Sequence, residues 1–181
     1  MAHDGRELVE QVRVLKPDVA VVDISMPILN GLDSFRQCRE AHFPTRFVFL
    51  TANPEIALAT QAFRLGASGY VLKQAASEEL VTAIREAQHG RTYITPRIAN
   101  DVVRNMTAGG AEAGPALTSR ERQVLQLLAE GRTLKEAAAV LLVSPRTIEF
   151  HKNNISEKTG LKTMAELARY AARHGLVSDT P

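Results

Sequence analysis

A carboxylate, a hydroxyl and an amine each end an apolar stretch in the first half of this sequence. Asp23 ends VAVVD, Thr51 ends RFVFLT and Lys73 ends GYVLK. A buried charge without a partner is costly, so Asp23 is expected to lie exposed at a strand tip, to be paired, or to take part in chemistry. Each residue alone would be an ordinary polar strand end, but their recurrence at three successive strands indicates a shared site.

Strands alternate with helices through the first ninety residues. Short loops between such elements are typical of a parallel α/β sheet, in which ligands bind at the carboxyl ends of the strands. Asp23, Thr51 and Lys73 stand at those ends. The predicted strands are 18–23, 46–51 and 68–73, and the predicted helices are 5–16, 31–42, 54–66 and 77–90.

The second half is predicted to be all helical, with four helices. One of them opens with Ser144 as N-cap and Pro145 at the first helical position. A short helix, a tight turn at 143–144 and a longer helix indicate a helix-turn-helix. The other three helices open with the T-x-x-E capping box, at Thr118–Glu121, Thr133–Glu136 and Thr163–Glu166.

These patterns predict three parts of the chain: a sheet domain over residues 1–90, a linker over 91–116 and a four-helix domain over 117–181. The stretch TAGGAEAGPA, residues 107–116, is rich in glycine and alanine, as flexible linkers are. Residues 91–107 have room for one more short helix.

The composition disfavours several classes of protein. No apolar run approaches the roughly 18 residues of a membrane span, and the first residues lack the apolar core of a secretory signal, so we expect a cytoplasmic protein without a membrane partner. The single cysteine, Cys38, is expected to be buried, and the five histidines form no zinc pattern. The four-helix domain carries 10 Lys and Arg against 7 Asp and Glu, which permits binding to nucleic acid.

Motifs in both halves resemble those of one protein family. VDISMP, FLTA and GYVLK, at these spacings, resemble the receiver domain of two-component response regulators. LTSRERQVLQLLAEG and LKEAAAVLLVSPRTIEFHKNNISEKTGLKT are similar to the NarL/FixJ (LuxR-type) DNA-binding domain. The resemblance implies a flavodoxin-like receiver beside a helix-turn-helix domain, and a transcription regulator rather than an enzyme. It also implies a sensor histidine kinase, double-stranded DNA and RNA polymerase as partners, and a homodimer on DNA.

The resemblance assigns roles to the residues at the strand ends. Asp23 would be the phospho-acceptor, Lys73 would pair with the phosphoryl oxygens and Thr51 would donate its hydroxyl to them. Tyr70 would be the aromatic switch that turns inward when Thr51 moves. Mg²⁺ would be held by Asp23, by the backbone carbonyl of Ser25 and by an acidic pair at the end of the family's first strand.

That acidic pair has no counterpart in the sequence. Only 22 residues precede Asp23, whereas one strand-helix-strand unit needs about 30. The first strand, first helix and second strand of the family fold are therefore expected to be missing, which leaves the strand at 18–23 with an open edge. We expect an absent N-terminal segment; the alternative is a degenerate receiver in a phosphorylation-independent DNA-binding regulator.

The predicted recognition helix, about 145–158, has two distinct faces. Helical geometry directs Ile148 and Ile155 toward the core, and it places Phe150 on an otherwise polar outer face. In a major groove, Phe150 could contact thymine methyl groups, Glu149 could accept from cytosine and Asn153 could pair with adenine. The full predicted DNA-binding set is Arg146, Thr147, Glu149, Phe150, Lys152, Asn153, Asn154 and Lys158.

A strand-end aspartate also occurs in one class of enzyme. Phosphatases of the haloacid dehalogenase type also use a strand-end aspartate as nucleophile. They need a second aspartate two residues later as acid and base, and Ser25 occupies that position. The enzyme reading is therefore disfavoured.

Overall fold

The computed structural model describes residues 1–52, 54–108 and 117–177, without the side chains of residues 75–77. Within these ranges no helix is long and apolar enough to cross a membrane. The strands are β1 Val19–Asp23, β2 Arg46–Thr51, β3 Gly69–Leu72 and β4 Tyr93–Ile94. The helices are α1 Gly5–Leu15, α2 Gly31–Glu40, α3 Ile56–Arg64, α4 Ala76–Gln88, α5 Pro96–Thr107, α6 Ser119–Ala129, α7 Leu134–Leu141, α8 Pro145–Thr159 and α9 Met164–Arg173, with a 3-10 turn at Lys73–Ala75.

The four strands form one parallel sheet in the order β1-β2-β3-β4. This confirms the predicted parallel sheet and places β1 at its edge, where the sequence predicted an open strand. The two-residue strand β4 was not predicted; it pairs with Gly69 and Tyr70 of β3. The short helix expected before residue 108 is α5. The predicted linker lies outside the described residues from position 109 to 116.

The two faces of the sheet are covered unequally. On one face, Phe35 of α2 packs against Phe47 and Phe49 of β2, with ring centroids 4.7 and 5.6 Å apart. Cys38 is fully buried in the same core, and burial raises the pKa of its thiol to about 11. This agrees with a packing role rather than a reactive thiol. The other face is covered by α4, and beside it Val21 of the edge strand stays 41% exposed.

The helices of the second domain begin at the predicted residues. Thr118, Thr133 and Thr163 each form the complete reciprocal capping box, and Ser144 caps α8 ahead of Pro145. The side chains of α6, α7, α8 and α9 enclose a core of mainly leucine, alanine and isoleucine. A satisfied cap contributes about 1 kcal/mol of stability, so these boxes fix where the helices start.

A buried carboxylate ties α6 to α8. The Lys158 amine donates to Glu121 Oε2 at 2.7 Å, and the Glu121 side chain is 4% exposed. Burial alone would raise the pKa of Glu121, but hydrogen bonds from Lys158 and Thr118 hold that pKa below its ordinary 4.5. A lowered carboxyl pKa contributes stability above the unfolded value, and this stability is lost as the pH falls through the folded pKa.

The open edge of β1 generates the first prediction. Val21→Lys should reduce concentration-dependent self-association, because a lysine on an exposed strand edge opposes pairing with another copy. The measurement is sedimentation velocity over a concentration series. The matched control is Val103→Lys on α5, where the native valine is 57% exposed but lies away from the edge. Equal effects of both substitutions would show that the strand edge is not the contact.

The Glu121–Lys158 pair generates the second prediction. Lys158→Met should destabilise the helical domain by about 1–3 kcal/mol at pH 7, because it leaves a buried carboxylate without its cation. The difference from the wild type should shrink as the pH falls below 4.5 and Glu121 becomes protonated. Urea unfolding followed through the α6 and α8 amides measures both effects, with Lys152→Met as control. A difference that persists unchanged at pH 3 would contradict the assignment.

Candidate functional site

Asp23 and Lys73 form an ion pair at the carboxyl end of the sheet. Asp23 is the last residue of β1, and Lys73 follows β3 directly. The Lys73 amine donates to Asp23 Oδ2 at 2.5 Å, and the N–H of Ser25 donates to Oδ1 at 3.1 Å. The Asp23 side chain is 33% exposed. The carboxylate is therefore both paired and open to a reaction partner.

Thr51 and Tyr70 complete the group that the sequence predicted. Thr51 ends β2, the strand between β1 and β3, and is buried. Tyr70 of β3 is fully buried, with its ring centroid 6.4 Å from that of Phe63. Burial, with the nearby charge of Glu55, raises the pKa of the Tyr70 phenol well above its ordinary value, so the phenol is neutral. The aromatic ring of Tyr70 thus occupies the inward position. Its rotation in response to a movement of Thr51 stays a prediction.

The segment after Asp23 folds back over the strand end, and we name residues 24–30 the acceptor loop. The N–H of Gly31 donates to the carbonyl of Ile24 at 2.9 Å and closes the loop. A Cβ on Gly31 would lie 2.1 Å from the Asp23 carbonyl oxygen, so only glycine fits there. Ile28 in the loop has a φ of 66°, a left-handed conformation that β-branched residues rarely adopt.

The residues around Asp23 do not fit the Mg²⁺ site that the resemblance implies. Mg²⁺ takes near-octahedral oxygen ligands and usually one or two carboxylates. In the described ranges no cluster of three or more Asp, Glu, His or Cys could hold a metal ion. Asp4 is committed elsewhere, because it caps α1 by accepting from the N–H groups of Arg6 and Glu7. Of the ligands that the resemblance implies, the Asp23 carboxylate and the Ser25 carbonyl are present, and the acidic pair is not found among the described residues.

Helix α8 presents the two faces that helical geometry predicted. Ile148 and Ile155 are fully buried, whereas Phe150 is 60% exposed. Exposed polar residues surround Phe150, which is the arrangement expected of a surface that meets a partner. The other exposed residues of this surface are Arg146, Glu149 and Asn153, and Thr147, Lys152 and Asn154 are partly exposed.

Lys158 differs from the other predicted phosphate contacts. Its amine is bound to Glu121 at 2.7 Å, an interaction that supports the fold of the domain. Sequence reasoning missed this pair, because it assigned Glu121 only to its capping box. The box and the ion pair use the same carboxylate.

Sequence reasoning also missed a set of polar contacts between the two domains. Arg122 of α6 donates to Asp33 Oδ1 of α2 at 2.7 Å, and Gln126 of α6 bonds to the acceptor loop. The available signal was Gln126 itself, a polar residue between leucines in QVLQLLA. It is 1% exposed, and a buried amide needs hydrogen-bond partners.

Family models match both halves of the chain. The response regulator receiver domain matches residues 1–85, and the luxR family of bacterial regulatory proteins matches residues 115–171. The probable transcriptional regulatory protein NarL of Mycobacterium tuberculosis is 32% identical over 176 residues, covering 97% of this chain and 82% of that protein. The oxygen regulatory protein NreC of Staphylococcus aureus is 36% identical over 184 residues, covering 97% of this chain and 85% of that protein.

A solved structure aligns with this chain over both domains. The structure of two RcsB dimers bound to two parallel DNAs aligns with a TM-score of 0.53 and 25% identity, covering 94% of this chain and 82% of that chain. The sequence matches to these relatives cover 97% of this chain and so extend over both domains. The chain therefore belongs to the response regulators that join a receiver domain to a LuxR-type DNA-binding domain.

Proposed function

We propose that this chain regulates transcription by reading double-stranded DNA with α8 as a homodimer, and that Asp23 is the phospho-acceptor when the receiver is complete. The observation that carries the acceptor assignment is the Lys73–Asp23 contact of 2.5 Å at an accessible strand end. A sensor histidine kinase is the proposed phosphoryl donor, and RNA polymerase is the proposed target of the DNA-bound dimer. The proposed DNA-binding domain is 117–181, and the proposed receiver extends beyond residue 90, because β4 pairs with β3 and Ile98 and Val102 of α5 lie in the receiver core.

The surface of α8 supports DNA reading. A helix in a major groove distinguishes bases through a few side chains, while cations on its flanks hold the phosphates. Phe150 and Asn153 are exposed on the outer face of α8, away from Ile148 and Ile155 in the core. Lys152 lies beside them, where its charge adds affinity without sequence preference. A two-fold dimer would place two such helices on a pseudo-palindromic site.

The chemistry at Asp23 follows from its partners. A carboxylate oxygen of Asp23 attacks the phosphorus of the donor, an O–P bond forms, and the bond between phosphorus and the donor's leaving group breaks. Lys73 is already within 2.5 Å of the carboxylate and would shift its donation to the phosphoryl oxygens. Thr51, at the end of the middle strand, is proposed to donate its hydroxyl to the same oxygens.

A second function is favoured by one observation. Around Asp23 the described residues hold no acidic cluster of the kind with which receivers would hold Mg²⁺, the cation that neutralises the charge of the incoming phosphoryl group. Regulation of DNA binding without phosphorylation therefore remains the competing proposal for this chain. The two proposals share the DNA-binding surface and differ only at Asp23.

The DNA surface generates the third prediction. Phe150→Ala and Asn153→Ala should each relax preference for one base pair, at a cost of about 1–3 kcal/mol with the preferred sequence. Lys152→Ala should weaken binding to all sequences alike and reduce the dependence of affinity on salt. Gel-shift titrations on a selected site and on its single-base variants, at several salt concentrations, separate the two behaviours. The reverse pattern would mean that α8 is docked differently.

The acceptor site generates the fourth prediction. The 181-residue chain should take up little phosphate from acetyl phosphate with Mg²⁺, because Lys73 is one cation against several negative charges. An added N-terminal strand that ends in two acidic residues should raise labelling, and Asp23→Asn in that extended chain should abolish it. Intact-mass measurement on the three proteins reports the phosphate directly. Stoichiometric labelling of the 181-residue chain at Asp23 would contradict the prediction and favour another source for the metal ligands.

A further inference from the structure

Two polar residues of α6 and the residue that caps its C-terminus form a stripe that faces the receiver. Arg122, Gln126 and Glu130 follow one another at intervals of four along the helix and at its end, so they share one face. Gln126 uses both ends of its amide on the acceptor loop. Its Nε2 donates to the Met26 carbonyl at 2.8 Å, and its Oε1 accepts from the N–H of Asn30 at 2.9 Å.

The middle of the loop is held by the next residue of the stripe. Glu130 Oε1 accepts from the N–H of Ile28 at 3.1 Å, and also from Gln126 Nε2 at 2.8 Å. Ile28 is the loop residue with the left-handed backbone. A conformation of that kind persists when its surroundings hold it in place, and here a carboxylate of the DNA-binding domain holds it.

The end of the loop is fixed through Asp33. Asn30 Nδ2 donates to Asp33 Oδ2 at 2.9 Å, while Arg122 Nε donates to Asp33 Oδ1 at 2.7 Å. The Asp33 side chain is 4% exposed. A hydrogen bond to a buried charged group is stronger than one between neutral groups. The first residue of the stripe therefore anchors the point at which the acceptor loop enters α2.

We propose that Gln126 is a positioning residue of the acceptor loop, so that the DNA-binding domain sets the backbone geometry of the segment that follows Asp23. The name acceptor loop rests on the proposed function of Asp23, whereas the contacts of Gln126 with the loop do not depend on that function. The amide of Gln126 sits between leucines of its own domain, yet both of its ends bond to receiver backbone. Coupling between two sites is reciprocal, so a change of state at Asp23 acts back on α6 through the same bonds.

The test is amide hydrogen exchange, resolved residue by residue by NMR, on the full chain without DNA. Gln126→Leu should make the Asn30 amide exchange about tenfold faster, the effect of losing one hydrogen bond of ordinary strength. Glu130→Ala should instead accelerate the Ile28 amide and leave Asn30 slow. The exchange rate of each amide should therefore change only when the side chain that accepts its hydrogen bond is replaced.

The matched control is Gln123→Leu. Gln123 lies on the same helix, but its Oε1 accepts from Arg120 rather than from the loop. An unchanged Asn30 amide in Gln126→Leu, or an equal change in Gln123→Leu, would overturn the proposal. If Gln126→Leu destabilises the whole helical domain, the α8 amides will also exchange faster. The exchange rate of the Ile28 amide in Glu130→Ala then decides whether the stripe holds the acceptor loop. Because the exchange is measured without DNA, this test of the loop contacts is independent of whether the proposed DNA-binding function is correct.

Discussion

The carboxyl ends of parallel strands meet at one edge of a sheet, and the site around Asp23 depends on this constraint. Asp23 on β1 and Lys73 after β3 are separated by β2, so their backbones lie about 10 Å apart, twice the spacing of neighbouring strands. A lysine side chain is long enough to cross this gap, and its amine reaches Asp23 Oδ2. Thr51 ends the strand between them. The sheet order therefore supplies the geometry, and side-chain length completes it.

The edge position of β1 explains both the exposure of Val21 and the lack of acidic neighbours around Asp23. A strand beside β1 would cover Val21 and would bring its own terminal residues next to Asp23. In the described residues β1 pairs with β2, so the apolar edge stays open and the carboxylate lacks acidic neighbours. The exposure of Val21 and the poor fit to Mg²⁺ are thus two effects of the same sheet topology. Neither requires a change in Thr51, Lys73 or Tyr70.

Features set by local sequence were predictable, and features set by docking were not. The strand ends at Asp23 and Thr51, the capping boxes and the buried positions of α8 follow from periodicity within a few residues of each position. Strand β4 has two residues, too few for a periodic signal, and depends on pairing with β3. The Arg122–Asp33 contact joins residues 89 positions apart and exists only because the domains meet. Even within a single domain, contacts between helices could not be predicted. Helical geometry placed Lys158 on the outer face of α8, but it did not identify Glu121 of α6 as its partner.

The chemical character of the α6 stripe decides what kind of contact the domains make at the acceptor loop. The apolar side of α6, with Val124, Leu125 and Leu128, belongs to the core of its own domain. Toward the receiver it presents a guanidinium, an amide and a carboxylate, at Arg122, Gln126 and Glu130. Water can satisfy all three groups when the domains separate, so opening this contact exposes little apolar surface at the stripe, and polar interfaces between domains permit relative motion. A leucine stripe would hold the domains together regardless of the state of Asp23; a polar stripe bonded to the loop after Asp23 makes docking depend on the shape of that loop.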